Sequence, residues 1–322
     1  MLTLDLSILR CANCGTGRFT GATCSEMRLT CQDCGHAYPL HGGIVRTVPS
    51  AHYAGSFGYQ WNKHRRTQLD SYTGLTLTRD RFFTATRWPH ELKGLRVLEA
   101  GSGAGRFTEI LGPTGGDIYT VDLSPAIEAN YTNNSHRENV HFFQSDIYDL
   151  PFSDKAFDCA VCLGVIQHTP DPAKAFKSLA RHVKPGGSLV IDCYAKNLRS
   201  MLSWKYVLRP ITRRMGSTTL YSIIERVAPT LVPVSAWLRK RLGPAGARII
   251  PILQYEHWGL PSELNRQWAI LDTFDMYSPR YDQPQTLTTI REWYRDSGFV
   301  DIDVRYGLNG IVASGRRSRD RS

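Results

Sequence analysis

The fold is decided by one stretch, Val97-Leu98-Glu99-Ala100-Gly101-Ser102-Gly103-Ala104-Gly105-Arg106-Phe107. It opens as an apolar run that ends in an acid, continues as a loop with glycine at alternate positions, and leads into FTEILG (107–112), which reads as a helix. Glycine adopts positive φ and lets a ligand approach bare backbone, while the start of a helix offers unpaired N–H groups. The stretch therefore predicts a strand, a loop and a helix that meet a nucleotide-like ligand.

The loop spacing and three nearby acids narrow the identity of that ligand. Arg106 stands where a dinucleotide fingerprint has its third glycine, which counts against NAD or FAD. Glu99, just before the loop, could accept a hydrogen bond from a ligand ammonium. Asp122 ends the second predicted strand, within reach of ribose hydroxyls. Asp146, followed by the apolar Ile147, ends the third strand, within reach of an adenine amino group. The three acids together predict a ligand with an ammonium, a ribose diol and an amino-purine.

Strands and helices alternate from residue 95 onward. Strands are predicted at 95–100, 117–123, 139–146, 156–164 and 188–194, helices at 171–183 and 286–298, and two final strands at 299–306 and 309–316. The segment Lys184-Pro-Gly-Gly187 is predicted to be a turn before the fifth strand. Such alternation predicts an α/β fold with a mostly parallel sheet covered on both faces. The last two strands should be antiparallel, because a tight turn at 307–309 joins them.

A family resemblance rests on five segments: VLEAGSGAGRF (97–107), VDLS (121–124), SDIYDLPF (145–152), FDCAVCLGVIQHTPDP (157–172) and LARHVKPGGSLVID (179–192). Through them, residues 95–194 and 286–316 resemble a class I S-adenosylmethionine-dependent methyltransferase. The resemblance implies a Rossmann-like seven-stranded sheet of order 3-2-1-4-5-7-6 with strand 7 antiparallel. It also implies S-adenosylmethionine as the cofactor and methyl transfer as the reaction.

The resemblance assigns the cofactor-binding residues as well. It gives the methionine part to Glu99, Gly101, Ser102, Gly103, Gly105 and Arg106, the ribose to Asp122 and Leu123, the adenine to Asp146 and Ile147, and the mouth at the methyl group to Leu163 and Gly164. In GVIQHTPDP (164–172) the family often carries two histidines, whereas this chain has Gln167 and then His168. His168 is expected either to act as a general base for an acceptor hydroxyl or amine, or to orient the loop.

Two cysteine pairs near the N-terminus predict a metal site. Cys11-Ala-Asn-Cys14 and Cys31-Gln-Asp-Cys34 are separated by sixteen residues, and each pair is followed by a glycine that lets the turn close. This spacing is typical of four-thiolate structural zinc, and four cysteines leave no open coordination position for catalysis. The unit resembles small zinc ribbons of the Trm112-like type, and the alternative is a ribbon that folds without metal. Cys24 and His36 are surplus, and Cys159, Cys162 and Cys193 read as buried thiols.

Residues 197–285 interrupt the alternating pattern and carry much of the net charge of +10. Between 197 and 250 there are ten Lys and Arg residues and one acid, so this segment contributes 10 − 1 = +9. Apolar and basic positions recur at helical spacing, which predicts a helical insertion that binds the acceptor as a lid. Four interpretations stay open: an amphipathic pair on an anionic membrane surface or a lipid-linked substrate, a cap for sugar-nucleotide phosphates, a nucleic-acid contact, and a lid or homodimer contact with a solvated basic face.

Six residues are candidates for contact with the acceptor: Gln60, Trp61, Gln167, Tyr277, Arg280 and Tyr281. The first two belong to the aromatic string FGYQW (57–61), for which core packing is the alternative. The last three belong to LDTFDMYSPRY (271–281), which precedes the return of the chain to the sheet. Tyr, Arg and Asp side chains packed this closely near a predicted active-site mouth suggest substrate contact.

The predicted organisation is a zinc ribbon (1–50), a helical linker or N-terminal cap (51–94), a methyltransferase core (95–196), the basic insertion (197–285), the last core strands (286–316) and a basic tail (317–322). No secretory signal pattern and no apolar run of membrane-spanning length is present, so the expected location is cytoplasmic or peripheral at the membrane. The expected reaction is methyl transfer to a hydroxyl or amine of a small-molecule, sugar or lipid-linked acceptor. The alternatives are a zinc-ribbon RNA methyltransferase and a non-catalytic cofactor-binding scaffold.

Overall fold

The computed structural model describes residues 4–20, 28–48, 53–197 and 203–319, so Cys24 lies outside the described residues. Within them, eleven strands join into one sheet with a hydrophobic cluster on each face of its centre. The strands are β1 (Phe19–Thr20), β2 (Arg28–Cys31), β3 (Ala37–His41), β4 (Ile44–Arg46), β5 (Arg96–Ala100), β6 (Asp117–Asp122), β7 (Val140–Gln144), β8 (Phe157–Leu163), β9 (Val183–Cys193), β10 (Phe299–Gly307) and β11 (Gly310–Arg317).

Seven of these strands, β5 to β11, form the centre of the sheet in the order β7-β6-β5-β8-β9-β11-β10. Strands β5 to β9 are parallel, and β11 runs antiparallel to both β9 and β10. Numbered along the chain from β5, this is the order 3-2-1-4-5-7-6 that the resemblance implies. The carboxyl ends of β5, β6, β7 and β8 consequently meet at one edge of the sheet, which is where open α/β sheets bind ligands.

One local prediction was wrong. Lys184–Gly187 does not form a separate turn, because β9 begins at Val183 and includes these residues. The ladder with β8 shifts register between Phe157 and Cys159, and Gly186 has φ +81°. The Pro-Gly-Gly sequence is therefore accommodated as an irregularity inside a strand, in keeping with the preference of proline and glycine for bulges.

The helices are α1 (Gly55–Lys63), α2 (Asp70–Thr73), α3 (Leu77–Thr86), α4 (Arg106–Leu111), α5 (Ala126–Asn134), α6 (Pro172–His182), α7 (Trp204–Thr212), α8 (Ser217–Gly246), α9 (Ser262–Tyr277) and α10 (Leu287–Asp296). Helices α3, α4 and α5 supply residues to the cluster on one face of the sheet, and α6 and α10 supply residues to the cluster on the other. Cys159 and Cys162 of β8 point into opposite clusters, so these two thiols cannot share a metal, as predicted.

The N-terminal ribbon extends the central sheet. Strands β1, β2, β3 and β4 pair in antiparallel order, and β4 then pairs in parallel with β7. Ile44 lies opposite Phe142 in that ladder, and Leu9 forms a bridge with Phe152. Because Leu9 and Cys11 belong to the same buried cluster as Phe152, the ribbon and the sheet share a core.

Three helices form a layer beside the carboxyl edge of the sheet. Helix α9 packs against both α7 and α8, and its buried residues Phe274 and Tyr277 meet Tyr221, Ile224 and Ala228 of α8 in a separate cluster. Helix α8 is kinked at Gly243, whose φ of +65° is not helical. Among the described residues, no helix combines the length and the apolar composition that crossing a bilayer requires.

Candidate active site

The glycine loop between β5 and α4 is bare because its conformation excludes side chains. Gly101 has φ +76° and Gly105 has φ +85°, both in the left-handed region. A Cβ on Gly101 would lie 2.3 Å from Cγ2 of Val165, and one on Gly105 would lie 2.1 Å from Oδ1 of Asn130. The glycines of the loop therefore bring bare backbone to the strand edge, where a ligand can approach closely.

Asp122 joins the end of β6 to this loop. Its Oδ2 accepts a hydrogen bond of 2.8 Å from the backbone N–H of Gly103, and its Oδ1 accepts from the N–H and the hydroxyl of Ser124, at 2.8 and 2.6 Å. These contacts fix the carboxylate at the carboxyl edge of the sheet.

A cavity of about 420 Å³ opens at this edge of the sheet. Nine of the twelve cofactor-binding residues implied by the resemblance line it: Gly101, Ser102, Gly103, Arg106, Asp122, Leu123, Ile147, Leu163 and Gly164. The volume lies within the range usual for small-molecule sites, roughly 300–1,000 Å³. The other three residues, Glu99, Gly105 and Asp146, do not line it.

Glu99 is one of these three. Its Oε2 accepts from the hydroxyls of Thr108, at 2.5 Å, and Thr120, at 3.0 Å, so it ties α4 to β6. Burial raises the pKa of the Glu99 carboxyl to about 7. From the sequence, we expected Glu99 to accept a hydrogen bond from a ligand ammonium. In the structure, its hydrogen-bond donors are these two hydroxyls. Asp146 in turn accepts from the backbone N–H of Tyr148 at 3.0 Å, which shapes the turn before the adenine-side residue Ile147.

His168 lies on the cavity wall with one ring nitrogen committed. Its Nδ1 is 3.0 Å from the carbonyl oxygen of Tyr281, and a carbonyl can only accept, so Nδ1 carries the proton. Its Nε2 then has a lone pair, and this atom has no hydrogen-bond partner among the described residues. The ring is held between Phe57 and Tyr194, whose ring centroids are 5.3 and 5.4 Å away. Burial lowers the pKa of His168, which keeps the imidazole neutral.

The six predicted acceptor contacts are less well placed. Trp61 lines the cavity, with its ring 3.4 Å from the position of a Cβ on Gly103. Five do not line it: Gln60, Gln167, Tyr277, Arg280 and Tyr281. Gln60 donates to Asp275 at 3.0 Å, Tyr277 donates to the carbonyl of Pro251 at 3.1 Å, and Arg280 is exposed. Contact of these five residues with an acceptor stays a prediction, and the cavity wall described here does not include them.

The residues that α9 does present to the cavity are Asp272, Asp275 and Met276. Asp272 accepts from the hydroxyl of Tyr255, at 2.5 Å, and from the amide of Gln68, at 2.9 Å. The amide oxygen of Gln68 in turn accepts from Arg106, so a chain of hydrogen bonds links the glycine loop to the insertion. Burial raises the pKa of Asp272 to about 6. The signal that could have found these acids is their i, i+3 spacing in the string 271–281, opposite the apolar positions of the helix.

Two buried ion pairs frame the cavity. Asp192, at the end of β9, accepts from Arg81 at 2.7 Å, from Asn309 at 3.1 Å and from the backbone N–H of Gly164. Lys205 of α7 donates to Asp282 at 2.7 Å, and burial lowers the pKa of this lysine. Arg81, Asn309 and Lys205 line the cavity, so both pairs hold wall residues in place.

The ribbon cysteines form the predicted cluster. The Sγ atoms of Cys11, Cys14, Cys31 and Cys34 all lie within 4.8 Å of one another, with Cys11 and Cys34 3.7 Å apart and Cys14 and Cys31 3.6 Å apart. A tetrahedron with zinc–sulfur bonds of about 2.3 Å has sulfur–sulfur edges of about 3.8 Å. The four sulfurs therefore fit a tetrahedral zinc ion, which would hold β2 and the N-terminal segment together.

Comparison with known proteins agrees with this site. Residues 98–191 match the family model described as a methyltransferase domain. The ubiquinone biosynthesis O-methyltransferase of Coxiella burnetii is 31% identical over 113 residues, which are 34% of this chain and 48% of that protein. The chain thus spans about half the length of the curated relatives it matches. An uncharacterized protein of Synechococcus is 27% identical over 279 residues, which are 82% of this chain and 59% of that one.

Among solved structures, the 1,6-didemethyltoxoflavin N1-methyltransferase of Burkholderia thailandensis is similar to 94% of this chain and 99% of its own, at 15% identity and a TM-score of 0.45. The strand order and the glycine loop define an α/β protein that binds its ligand at the carboxyl edge of a parallel sheet. The family match makes the assignment more specific: residues 98–191 form a methyltransferase domain.

Proposed function

We propose that the chain transfers a methyl group from S-adenosylmethionine to a hydroxyl group of a small-molecule acceptor. The observation that carries the proposal is the position of His168 on the wall of the cavity that also contains the glycine loop and Asp122, with a buried Nε2 that has no hydrogen-bond partner among the described residues. Relatives named O-methyltransferases support a hydroxyl acceptor. The apolar and aromatic wall residues, Phe57, Trp61 and Met276, favour an acceptor with an apolar body.

The cofactor would occupy the part of the cavity nearest the sheet. In this assignment Asp122 accepts from the ribose hydroxyls, Ile147 contacts the adenine, and Leu163 and Gly164 border the methyl group. S-adenosylmethionine supplies a methyl group bonded to a positively charged sulfur, which is a good leaving group. The protein then has to exclude water, align the acceptor oxygen with the methyl group and remove one proton.

The methionine end of the cofactor is a zwitterion, and the cavity offers groups of both signs for it. Arg81 and Arg106 line the cavity beside the loop, and Asp272 faces them across Gln68. We assign the cofactor carboxylate to the two arginines and its ammonium to Asp272, because Asp272 lines the cavity and Glu99 does not. The insertion would then complete the cofactor site as well as the acceptor site.

Truncated ligands test this assignment without any knowledge of the acceptor. S-adenosylhomocysteine has the amino-acid end, whereas 5′-methylthioadenosine lacks it. Asp272→Asn should weaken binding of S-adenosylhomocysteine by about 10- to 100-fold, the usual value of a charge-assisted hydrogen bond, and leave 5′-methylthioadenosine unaffected. Calorimetry measures both. Equal losses for the two ligands would mean that Asp272 supports the cavity generally, and absence of binding to the unmodified chain would remove the proposed function itself.

His168 is assigned the role of general base. Its Nε2 lone pair would take the proton of the acceptor hydroxyl while the acceptor oxygen forms its bond to the methyl carbon and the carbon–sulfur bond breaks. The products are a methyl ether, S-adenosylhomocysteine and a protonated imidazole, which loses its proton to solvent after product release. The lowered pKa of His168 keeps the imidazole neutral, and therefore competent as a base, at neutral pH.

The test is a matched pair of histidine variants. Once a radiolabelled methyl donor and a panel of phenols, catechols and amines have identified an acceptor, His168→Gln should lower kcat by about 10²- to 10⁴-fold with little change in S-adenosylhomocysteine affinity. His182→Gln is the control, because His182 is also buried, also bonds a carbonyl through Nδ1 and also leaves Nε2 unpaired, but lies outside the cavity. Unchanged turnover in His168→Gln would rule out the base.

A further inference from the structure

The surface of the helical layer that points away from the cavity is unusually apolar. On α7, the exposed residues Trp204, Val207 and Ile211 fall within an arc of about 60° at 100° per residue. Ile211 is 66% exposed, although it lies in a helix whose other side contacts α9. Lone exposed apolar residues need no explanation, but three on one face of a two-turn helix form a patch.

Helix α8 repeats this arrangement over a longer distance. Its exposed residues Ile223, Val227, Val234 and Trp237 fall within an arc of about 80°, and Trp237 is 56% exposed. The buried residues of α8 lie on the opposite side of the helix and pack on α9. We use the name outer face for these seven exposed residues of α7 and α8 together.

The two helices meet at one end of the outer face. The indole Nε1 of Trp204 donates to the backbone carbonyls of Arg248 and Ile249, each at 3.1 Å. Ile249 and Leu242 are themselves more than half exposed. Exposed apolar residues therefore lie at the contact between the start of α7 and the segment that follows α8.

Cations accompany the outer face, and the nearby acids are already engaged. Five exposed arginines lie on or beside the two helices: Arg213, Arg214, Arg226, Arg241 and Arg248. Glu225, the one acid between residues 197 and 250, lies 3.9 Å from Lys63, and Glu256 pairs with Lys240 at 2.6 Å. This segment carries a net charge of +9, so its partner should be negative and should accept tryptophan and aliphatic side chains.

We propose that the outer face docks on the surface of an anionic lipid bilayer. Helices that lie in the interface of a bilayer combine an apolar face containing Trp with flanking Arg or Lys, and this is the combination seen here. A second copy of the chain is a poorer partner, because it would bring two segments of charge +9 against each other. Docking does not depend on the proposed reaction, since none of the seven residues lines the cavity.

The proposal has a consequence for the acceptor that rests on the proposed function. Helix α7 carries Lys205 to the cavity on one side and Val207 to the outer face on another. Helix α9, beneath α7 and α8, carries Asp272, Asp275 and Met276 to the same cavity. A bilayer against the outer face would thus lie one helical layer from the acceptor wall, a position suited to an acceptor that partitions into lipid.

Vesicle co-sedimentation tests the docking. The chain should bind vesicles of phosphatidylcholine with phosphatidylglycerol at least about tenfold more strongly than phosphatidylcholine alone, and added salt should reduce the difference. Ile211→Ser with Trp237→Ser should weaken binding at least about tenfold, because docking would bury these two apolar side chains in the bilayer. The matched control is Tyr306→Ser with Leu308→Ser, two equally exposed residues of the hairpin between β10 and β11, which should leave binding unchanged.

A second variant separates charge from apolar contact. Arg213→Gln with Arg214→Gln changes no apolar residue and should weaken binding to the anionic vesicles by about tenfold while leaving the thermal midpoint unchanged. Equal binding to the two kinds of vesicle, or full binding by Ile211→Ser with Trp237→Ser, would overturn the proposal. So would light scattering that shows a dimer in solution which these two apolar substitutions dissociate, since the outer face would then be covered by a second copy.

Discussion

Gly105 allows the physical account of the glycine loop to be tested by stability alone. The residue does not line the cavity, so a substitution there changes the loop without touching the proposed ligand. In Gly105→Ala the new methyl group would lie 2.1 Å from Oδ1 of Asn130 and 2.5 Å from Nδ2 of Asn134, both buried. The matched control is Gly115→Ala, where φ is similar at +75° and the nearest atom, Cβ of Lys93, is 3.8 Å away.

The two variants share the cost of a left-handed alanine and differ in the collision. A left-handed conformation costs an alanine about 1 kcal/mol relative to glycine, and this is the whole effect expected for Gly115→Ala. In Gly105→Ala the amide of Asn130 must also move, although it donates to Thr108 at 2.9 Å and to Thr120 at 3.0 Å. Loss of these buried hydrogen bonds adds about 2–3 kcal/mol. We therefore expect a destabilisation of about 3–4 kcal/mol for Gly105→Ala.

Urea unfolding followed by tryptophan fluorescence and by circular dichroism measures both values. The double variant Gly105→Ala with Asn130→Ala supplies an internal check, because removing the amide removes the collision and should make the double variant less destabilised than the sum of the single variants. If Gly105→Ala were no less stable than Gly115→Ala, the loop would be free to rearrange. Steric exclusion of side chains would then not be the reason for the glycine at this position.

Three further predictions concern parts of the molecule remote from the outer face. Burial raises the pKa of Glu99 from 4.5 to about 7, so the native state holds this proton more tightly than the unfolded chain does. The contribution of Glu99 to stability is therefore complete below pH 4.5 and is lost as the pH rises through 7. Unfolding free energies measured against pH should fall more steeply for the unmodified chain than for Glu99→Gln, and equal slopes would contradict the buried ionisation. Mass spectrometry of the purified protein should find about one zinc ion per chain. Cys34→Ser should lose the metal, and the control Cys159→Ala, whose thiol lies in the sheet, should retain it. A metal-free unmodified chain would remove the zinc assignment. Asp192→Asn should lower the unfolding free energy by about 2 kcal/mol. This loss is smaller than that for a fully buried ion pair, because the Arg81 side chain is 20% exposed. An unchanged unfolding free energy in urea would show that Arg81 does not need this carboxylate.

The sequence was most informative where function depends on local structure. The glycine loop, Asp122 and Ile147 line one cavity, and each follows directly from a strand end in an alternating pattern. The cysteine cluster was equally predictable, since ligand spacing in a ribbon is a property of two short turns. In these cases the residues that act together are positioned by their near neighbours along the chain.

The sequence was least informative where function depends on packing between distant segments. Nothing local indicates that Ile44–Arg46 pairs with Val140–Gln144, because edge pairing between two short apolar strands leaves no pattern in either. The string 271–281 was expected to contact the substrate, but the pattern did not indicate which of its residues line the cavity: Asp272 and Asp275 do, and Tyr277 does not. Which face of α9 points inward is decided by contacts with α7 and α8, and these are not encoded in the string itself.

His168 shows how the two kinds of information combine at one atom. The residue follows β8 and belongs to the locally determined core, yet the carbonyl that fixes its proton belongs to Tyr281, beyond α9. Without that carbonyl, either ring nitrogen could carry the proton, and Nε2 would hold the lone pair for only part of the time. A base can therefore be positioned here only when the insertion has packed against the core, so the proposed proton removal, like the proposed contact of Asp272 with the cofactor, is a property of the assembled molecule.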